Sequence, residues 1–262
     1  MFPSFEVFGK TIYMYPLAAA AGALAAGFLA VRLAKSRGIR DTNVIELLLF
    51  SAIGAAVGGP VLYALTQLRG VIAVLRFGFS GLSGFFEIMS LVFGGSVFYG
   101  GLIGGIIAGA ICLRVKGWNA AKYLDVCAPA IPLFHAFGRI GCFLGGCCYG
   151  TESRFGFVYT HSLAEAANGV RRLPVPLFES VFLFALCAVL TRLYLRKSLN
   201  GRLFPLYLAC YAIWRFGVEF FRGDAIRGFA FGLSVSQWIS LGILAIVAVW
   251  TAVKIKNKEE AQ

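Results

Sequence analysis

Arg139 and Arg215 each stand inside a long apolar run, where charge is hardest to accommodate. An arginine at the centre of a membrane helix costs about 2.5–3.5 kcal/mol or more, so such residues face a cavity or a partner. Their guanidinium forks match phosphate geometry. Two chemistries fit. Either each arginine pairs with a buried carboxylate and only orders the structure, as Glu219 four residues after Arg215 allows, or the two hold an anion. At that depth a phospholipid headgroup is the obvious anion. His135, four residues before Arg139 on the same helical face, is either a satisfied core donor or a catalytic base. Tyr211, Arg215, Glu219 and Arg222 recur at intervals of three or four, which predicts one polar stripe on an otherwise apolar helix.

Glycine and cysteine surround the first arginine. Gly138, Gly141, Gly145, Gly146 and Gly150 let a helix end or bend and let backbone N–H groups approach a ligand. Pro129 and Pro132 predict a break in the same span upstream. Irregular backbone at membrane depth is tolerated only where it is buried or lines a wet cavity. A second cluster, Gly100, Gly101, Gly104 and Gly105, follows Tyr99, and small-residue spacing of this kind is also the ordinary device of close helix packing. Cys142, Cys147 and Cys148 do not have the paired spacing of zinc sites, so no metal is predicted. Cys112, Cys187 and Cys210 read as small packing residues. A P-loop, a dinucleotide glycine fingerprint, a G-x-S-x-G elbow and an H-E-x-x-H pair are all missing, so no cofactor is predicted.

The elements that must position these residues are membrane helices. The 262 residues are 59% hydrophobic and 14% charged, with a mean hydropathy of +0.81. Soluble domains are about 45–50% apolar and about 25% charged, so a soluble globular or disordered chain is excluded. Seven stretches reach the length of a spanning helix: about 12–31, 44–68, 97–113, 123–146, 176–195, 203–221 and 231–253. Residues 70–95 carry Arg76 and Glu87 and read as an interfacial or re-entrant arm. Residues 147–175 form a small head. The N-terminus lacks the pattern of a cleaved signal peptide. Fourteen basic residues fall after odd-numbered spans and eight on the other side, which places the N-terminus outside and the C-terminus in the cytoplasm. The net charge of +12 is therefore anchoring charge and not a nucleic-acid footprint. The expected architecture is an all-α integral membrane protein, one domain over 1–262.

In order along the chain, these segments resemble the prolipoprotein diacylglyceryl transferase family. Ile12-Tyr-Met-Tyr15-Pro is similar to its opening tyrosine segment, and Phe98-Tyr-Gly-Gly-Leu-Ile-Gly104 to its F-H-G-G-L-I-G stretch. Gly138-Arg-Ile-Gly-Cys-Phe143 resembles G-R-[IL]-G-N-F, and Pro176-Leu-Phe-Glu179 resembles P-x-Q-L-Y-E. Tyr211 to Arg222 resembles Y-x-x-x-R-x-x-x-E-F-x-R, and Leu233 to Ser240, with Gln237, the entry to the last span. The resemblance implies transfer of the diacylglyceryl group of phosphatidylglycerol to the lipobox cysteine of a preprolipoprotein, with release of glycerol 1-phosphate, in the bacterial cytoplasmic membrane. It implies catalytic roles among Arg139, Arg215, Tyr99, His135 and Glu219. It implies substrate contacts from Tyr15, Gly100, Gly101, Gly138, Gly141, Glu179, Tyr211, Arg222 and Gln237. The arm and head would position the signal peptide.

Three positions depart from the pattern. Tyr99 replaces the family's histidine, and a phenol, ionising near pH 10, serves as a base only in a strongly cationic setting. The Asn and Glu of N-F-x-N-x-E give way to Cys142, Gly145 or Gly146, and Cys147. Gly58-Gly59-Pro60 stands for a G-G-R. Two alternatives accompany the transferase reading: a paralogue acting on another acceptor, and a membrane phospholipid-binding protein that holds the headgroup without cleaving it.

Overall fold

The computed structural model describes residues 1–74, 97–224 and 228–259, with residues 76, 81, 84, 85 and 88. Most of the expected arm at 70–95 lies outside the described residues. The chain divides into two compact units, Met1–Ser36 with Leu124–Gln262, and Arg37–Tyr123.

The second unit is a helix pair built on glycine. Helix α2 (Asp41–Thr66) packs against α4 (Phe98–Val115), and the short α3 (Leu68–Ala73) follows α2. Ser51, Gly54, Ala55 and Gly58 face Gly100, Gly101, Gly104, Gly105 and Ala108, so the two backbones touch along one seam. A Cβ on Gly104 would collide with the Gly54 carbonyl oxygen, and one on Gly100 with that of Gly58. Backbone has no rotamer by which to yield, so Gly104→Val must part the helices. Its expected result is a clear fall in the detergent melting temperature, which overpacking costs of about 1–3 kcal/mol predict. An unchanged melt would show that the seam does not hold the unit together. At the far end of the pair, part-exposed Lys116 forms an ion pair with Glu46.

The first unit gathers α1 (Met14–Ser36), most of α5 (Ala120–Gly145), α6 (Val175–Leu195), α7 (Leu203–Val218) and α8 (Val235–Glu259). Gly22 of α1 lets the helix press on Phe137 of α5, where a Cβ would sit 2.7 Å from the Phe137 Cβ. Phe137 meets Phe184 edge-on, and Phe182 of α6 stacks on Trp214 of α7 with ring centroids 4.3 Å apart. Asp125, 2% exposed, accepts hydrogen bonds from the backbone N–H groups of Gly201 and Leu203, and so caps the start of α7 from another helix. Asp125→Ala leaves those donors without their acceptor. It should cost about 1–3 kcal/mol, measured as loss of thermal stability. An unshifted melt would remove the cap from the account.

Among its described residues the unit also has three small antiparallel strand pairs: β1 (Ser4–Val7) with β2 (Lys10–Tyr13), β3 (Glu152–Val158) with β4 (Arg171–Arg172), and β5 (Phe229–Ala230) with β6 (Leu233–Ser234). The second lies in the 147–175 head, over Tyr149, Tyr159 and Ala167. Burial there pushes the Tyr159 phenol up to about 12.

Among the described residues, five helices are long and apolar enough to cross a membrane: α1, α2, α5, α6 and α8. Helix α4 is apolar but shorter, and α7 has 16 residues. Two expectations are corrected. Helix α5 runs through Pro129 and Pro132 without a break. Each proline removes one N–H, but both are fully buried, and packing holds the helix where the ladder is interrupted. The polar stripe, in turn, does not reach Arg222. Helix α7 stops at Val218, Glu219–Phe221 forms a 3₁₀ turn, and Arg222 is extended and bridged to Gly150.

Candidate functional site

Arg139 sits on α5 one turn after His135, facing α6 and α7. Its Nη2 lies 3.1 Å from Glu179 Oε1, at the start of α6. The Tyr211 hydroxyl of α7 donates to the same oxygen at 3.4 Å. Glu179 is 1% exposed, so a fully buried carboxylate is matched by two donors from two other helices, as a buried charge requires. The His135 ring meets Tyr211 edge-on, with centroids 5.0 Å apart. The Nε of Arg139 is buried and has no hydrogen-bond partner among the described residues.

Arg215 is built the same way at the end of α7. Its Nη2 is 2.8 Å from Glu219 Oε2 and donates to Ser236 Oγ, at the start of α8, at 3.0 Å. Its Nη1 is buried and has no hydrogen-bond partner among the described residues. His135 and Tyr211 lie within electrostatic reach of both guanidinium groups. Gln237 joins Ser234 in a reciprocal capping box: Ser234 N–H donates to Gln237 Oε1 at 2.9 Å, and Gln237 N–H donates to Ser234 Oγ at 3.2 Å. Gln237 Nε2 also donates to the Phe216 carbonyl at 3.5 Å. The cap thus fixes the start of α8, and with it the Ser236 hydroxyl that receives Arg215.

A third arginine follows the 3₁₀ turn. Arg222 grips Asp224 with two hydrogen bonds, Nε to Oδ1 at 3.0 Å and Nη2 to Oδ2 at 2.6 Å. Burial works against the Arg222 cation, and the Asp224 carboxylate more than offsets it, so its pKa is raised. The Gly150 bridge holds this segment against the turn that leaves α5. There the sulfurs of Cys147 and Cys148, in the turn, and of Cys142, in the last turns of α5, lie within 4.8 Å of one another. Beside it opens an apolar pocket of about 290 Å³, lined by Tyr13, Tyr15, Gly141, Gly145, Cys147 and Leu163 among others.

The first unit therefore brings together His135, Arg139, Glu179 and Tyr211 in one cluster, and Arg215, Glu219 and Gln237 in another. Tyr15 and Gly141 are in contact at the pocket wall, where a Cβ on Gly141 would meet Tyr15 at 3.1 Å. Gly138, beside Arg139, has open space where a Cβ would be. Tyr99, Gly100 and Gly101 belong to the second unit: Tyr99 is 40% exposed at the start of α4, and the two glycines lie in the α2 seam. Sequence reasoning did not identify Glu179 as the partner of Arg139, Ser236 as the acceptor from Arg215, Asp224 as the clamp on Arg222, or the three-thiol cluster. The Ser234-x-x-Gln237 spacing at the head of an apolar run is a local capping signal that sequence reasoning did not use.

Chemically, each of the two deep guanidinium groups is paired with a carboxylate on one side and, among the described residues, keeps an unpartnered N–H on the other. Such a pair can receive an anion and gain from any increase in its charge. A family model described as prolipoprotein diacylglyceryl transferase matches residues 4–253. Three relatives carry the name phosphatidylglycerol–prolipoprotein diacylglyceryl transferase. The protein of Clostridium tetani is 36% identical, over 92% of this chain and 93% of its own. The second such protein of Clostridium perfringens is 34% identical, over 97% and 96%. That of Finegoldia magna is 30% identical, over 98% and 96%.

Proposed function

This chain belongs to the prolipoprotein diacylglyceryl transferase family, and from that premise we propose that it moves the diacylglyceryl group of phosphatidylglycerol onto the lipobox cysteine of a preprolipoprotein. It is a transferase of lipoprotein biosynthesis and a multi-pass membrane protein. In the proposed reaction the acceptor thiolate attacks glycerol C3, a thioether forms, and glycerol 1-phosphate leaves.

One observation carries this reading: among the described residues, Arg139 and Arg215 each keep a buried, unpartnered N–H while a carboxylate holds Nη2 of the same guanidinium. The phosphodiester begins with one negative charge and leaves as a dianion. Donors already in place when that charge grows stabilise the transition state more than the ground state. Glu179 and Glu219 keep the two cations compensated before lipid arrives. Tyr15 and Gly141 at the pocket wall, and the open space beside Gly138, are assigned to substrate. Tyr211 and Gln237 position Glu179 and the start of α8, and Arg222 with Asp224 anchors the outer turn.

The topology proposed is seven spans in the bacterial cytoplasmic membrane, N-terminus outside and C-terminus in the cytoplasm, supported by the basic residues after odd-numbered spans. The 147–175 head then faces outward, toward the arriving signal peptide. The test is mass spectrometry of a lipobox peptide incubated with the purified protein and phosphatidylglycerol. A single diacylglyceryl gain on the cysteine is expected. Lipid binding with no covalent product would overturn transfer in favour of a binding protein.

The acceptor proton needs a route, since only the thiolate attacks. Both deep carboxylates are engaged by arginines. Tyr99→Phe is expected to retain transfer, because a phenol is a poor acceptor for a thiol proton. A loss of about 10²-fold, the size typical of a missing acid–base group, would make that hydroxyl the base.

A further inference from the structure

The turn that closes α5 turns two adjacent cysteines toward a third. Gly146 has φ +74° and Cys148 φ +59°, two left-handed positions within three residues. A side chain at such a position costs conformational energy, which the surroundings must hold in place. They do: the Ser162 hydroxyl donates to the Gly146 carbonyl at 2.8 Å, Leu163 N–H donates to the Gly145 carbonyl at 3.1 Å, and Gly223 N–H donates to the Tyr149 carbonyl at 3.0 Å. In an extended strand consecutive side chains point to opposite faces. Here the turn folds back over the end of α5, and the sulfurs of Cys147 and Cys148 both come within 4.8 Å of the sulfur of buried Cys142. All three are free thiols.

We propose that Cys142, Cys147 and Cys148 form a three-thiolate site for a divalent cation of zinc's class, whose fourth position takes the acceptor thiol. Zinc–sulfur bonds are about 2.3 Å, so sulfurs at tetrahedral angles around one ion stand about 3.8 Å apart. The cluster, within 4.8 Å, reaches that spacing by drawing its sulfurs together by up to about 1 Å. Three protein ligands with one open position are the arrangement of catalytic zinc sites, as distinct from closed structural ones, and sulfur donors select soft cations. Arg139 lies within electrostatic reach of Cys142 and Cys148, and Arg222 of Cys148. A cation with three thiolates carries a net negative charge, and these guanidinium groups compensate it. Cys147 lines the apolar pocket, which supplies an approach for a hydrophobic peptide segment.

The acceptor role rests on the transferase reading above. A thiol bound to such an ion is deprotonated outright. Its proton passes to water, its electron pair forms the C–S bond to glycerol C3, and the C3–O bond breaks with its pair on the departing glycerol 1-phosphate. The activation otherwise demanded of a side-chain base is then met by the ion.

The test uses full-length protein in detergent, reduced and stripped by chelator, titrated with Co(II) and then Zn(II). A near-ultraviolet thiolate-to-cobalt band that zinc bleaches is expected. Cys142→Ser, Cys147→Ser and Cys148→Ser should each weaken cobalt binding by more than the 10–100-fold that loss of an outer hydrogen-bonding partner brings, whereas Cys112→Ser should leave the band intact. A lipobox peptide should shift the visible cobalt bands, and its Cys→Ser counterpart should not. Absence of the band in protein whose thiols all titrate as reduced overturns the site, without reliance on any variant's folding. Undiminished transfer by protein shown metal-free overturns the acceptor role and leaves the transferase reading intact. An intact cobalt band with no transfer by zinc-loaded protein leaves the metal site standing and overturns the transferase reading, and the acceptor role with it.

Discussion

Arg139→Ala is expected to lower diacylglyceryl transfer by at least about 10²–10³-fold, the loss found when one donor to a developing oxyanion is removed. The reason is specific to the pair it leaves behind. Arg139 bonds Glu179 through Nη2 and keeps a buried Nε without a hydrogen-bond partner. The lipid phosphate gains a full negative charge as glycerol C3 changes partner, so the lost interaction is worth more at the transition state than in the bound lipid. The fall should therefore appear in kcat and not only in KM. Alanine also leaves Glu179 buried without its cation, and breaking such a pair costs about 3–5 kcal/mol. Stability and catalysis must be separated. Arg139→Ala/Glu179→Ala removes the stranded carboxylate and should recover much of the melting temperature while staying inactive. Arg139→Lys keeps the charge and loses the planar fork, and should rank between the two extremes. Peptide mass spectrometry with parallel melting curves reads all three. Near-normal transfer by Arg139→Ala would remove this guanidinium from the site.

The sequence made the charged residues legible because the membrane makes them rare. In a chain with 14% charged residues, Arg139 and Arg215 stood out by type and depth alone, and the i,i+4 spacing already paired Arg215 with Glu219. What it did not reveal was partnership between helices. Glu179 meets Arg139 across 40 positions of sequence, and Ser236 meets Arg215 across a chain reversal; no local period encodes either contact. Pro129 and Pro132 misled for a related reason. A proline breaks an isolated helix, but these two are buried among neighbours that hold α5 continuous through them. The end of the polar stripe was invisible too. Arg222 keeps the helical spacing in sequence, yet Asp224 and the Gly150 bridge draw it into extended backbone. The thiol cluster depends on backbone hand at Gly146 and Cys148, a property that spacing rules for metal sites do not contain.

Arg215→Ala should be as damaging as loss of Arg139, and its partner distinguishes a catalytic guanidinium from a structural one. Arg215 joins three segments: α7, the 3₁₀ turn through Glu219, and the start of α8 through Ser236. A purely structural role assigns its value to the Glu219 pair. Glu219→Gln then ought to be as harmful as Arg215→Ala, since either change dissolves that pair. The proposed role assigns the value to the N–H donor that no group among the described residues uses. Glu219→Gln keeps that donor and the Ser236 bond, and a neutral amide still occupies the carboxylate's space. Transfer should accordingly fall by about 10²-fold or more in Arg215→Ala and by much less in Glu219→Gln, even where both melt early. Arg215→Lys supplies the third point. Its ammonium restores an ion pair with Glu219 but not the fork, so stability should return ahead of kcat. Equal losses of transfer in Arg215→Ala and Glu219→Gln, following their melting temperatures, would reduce Arg215 to a brace between helices and leave Arg139 alone to meet the phosphate.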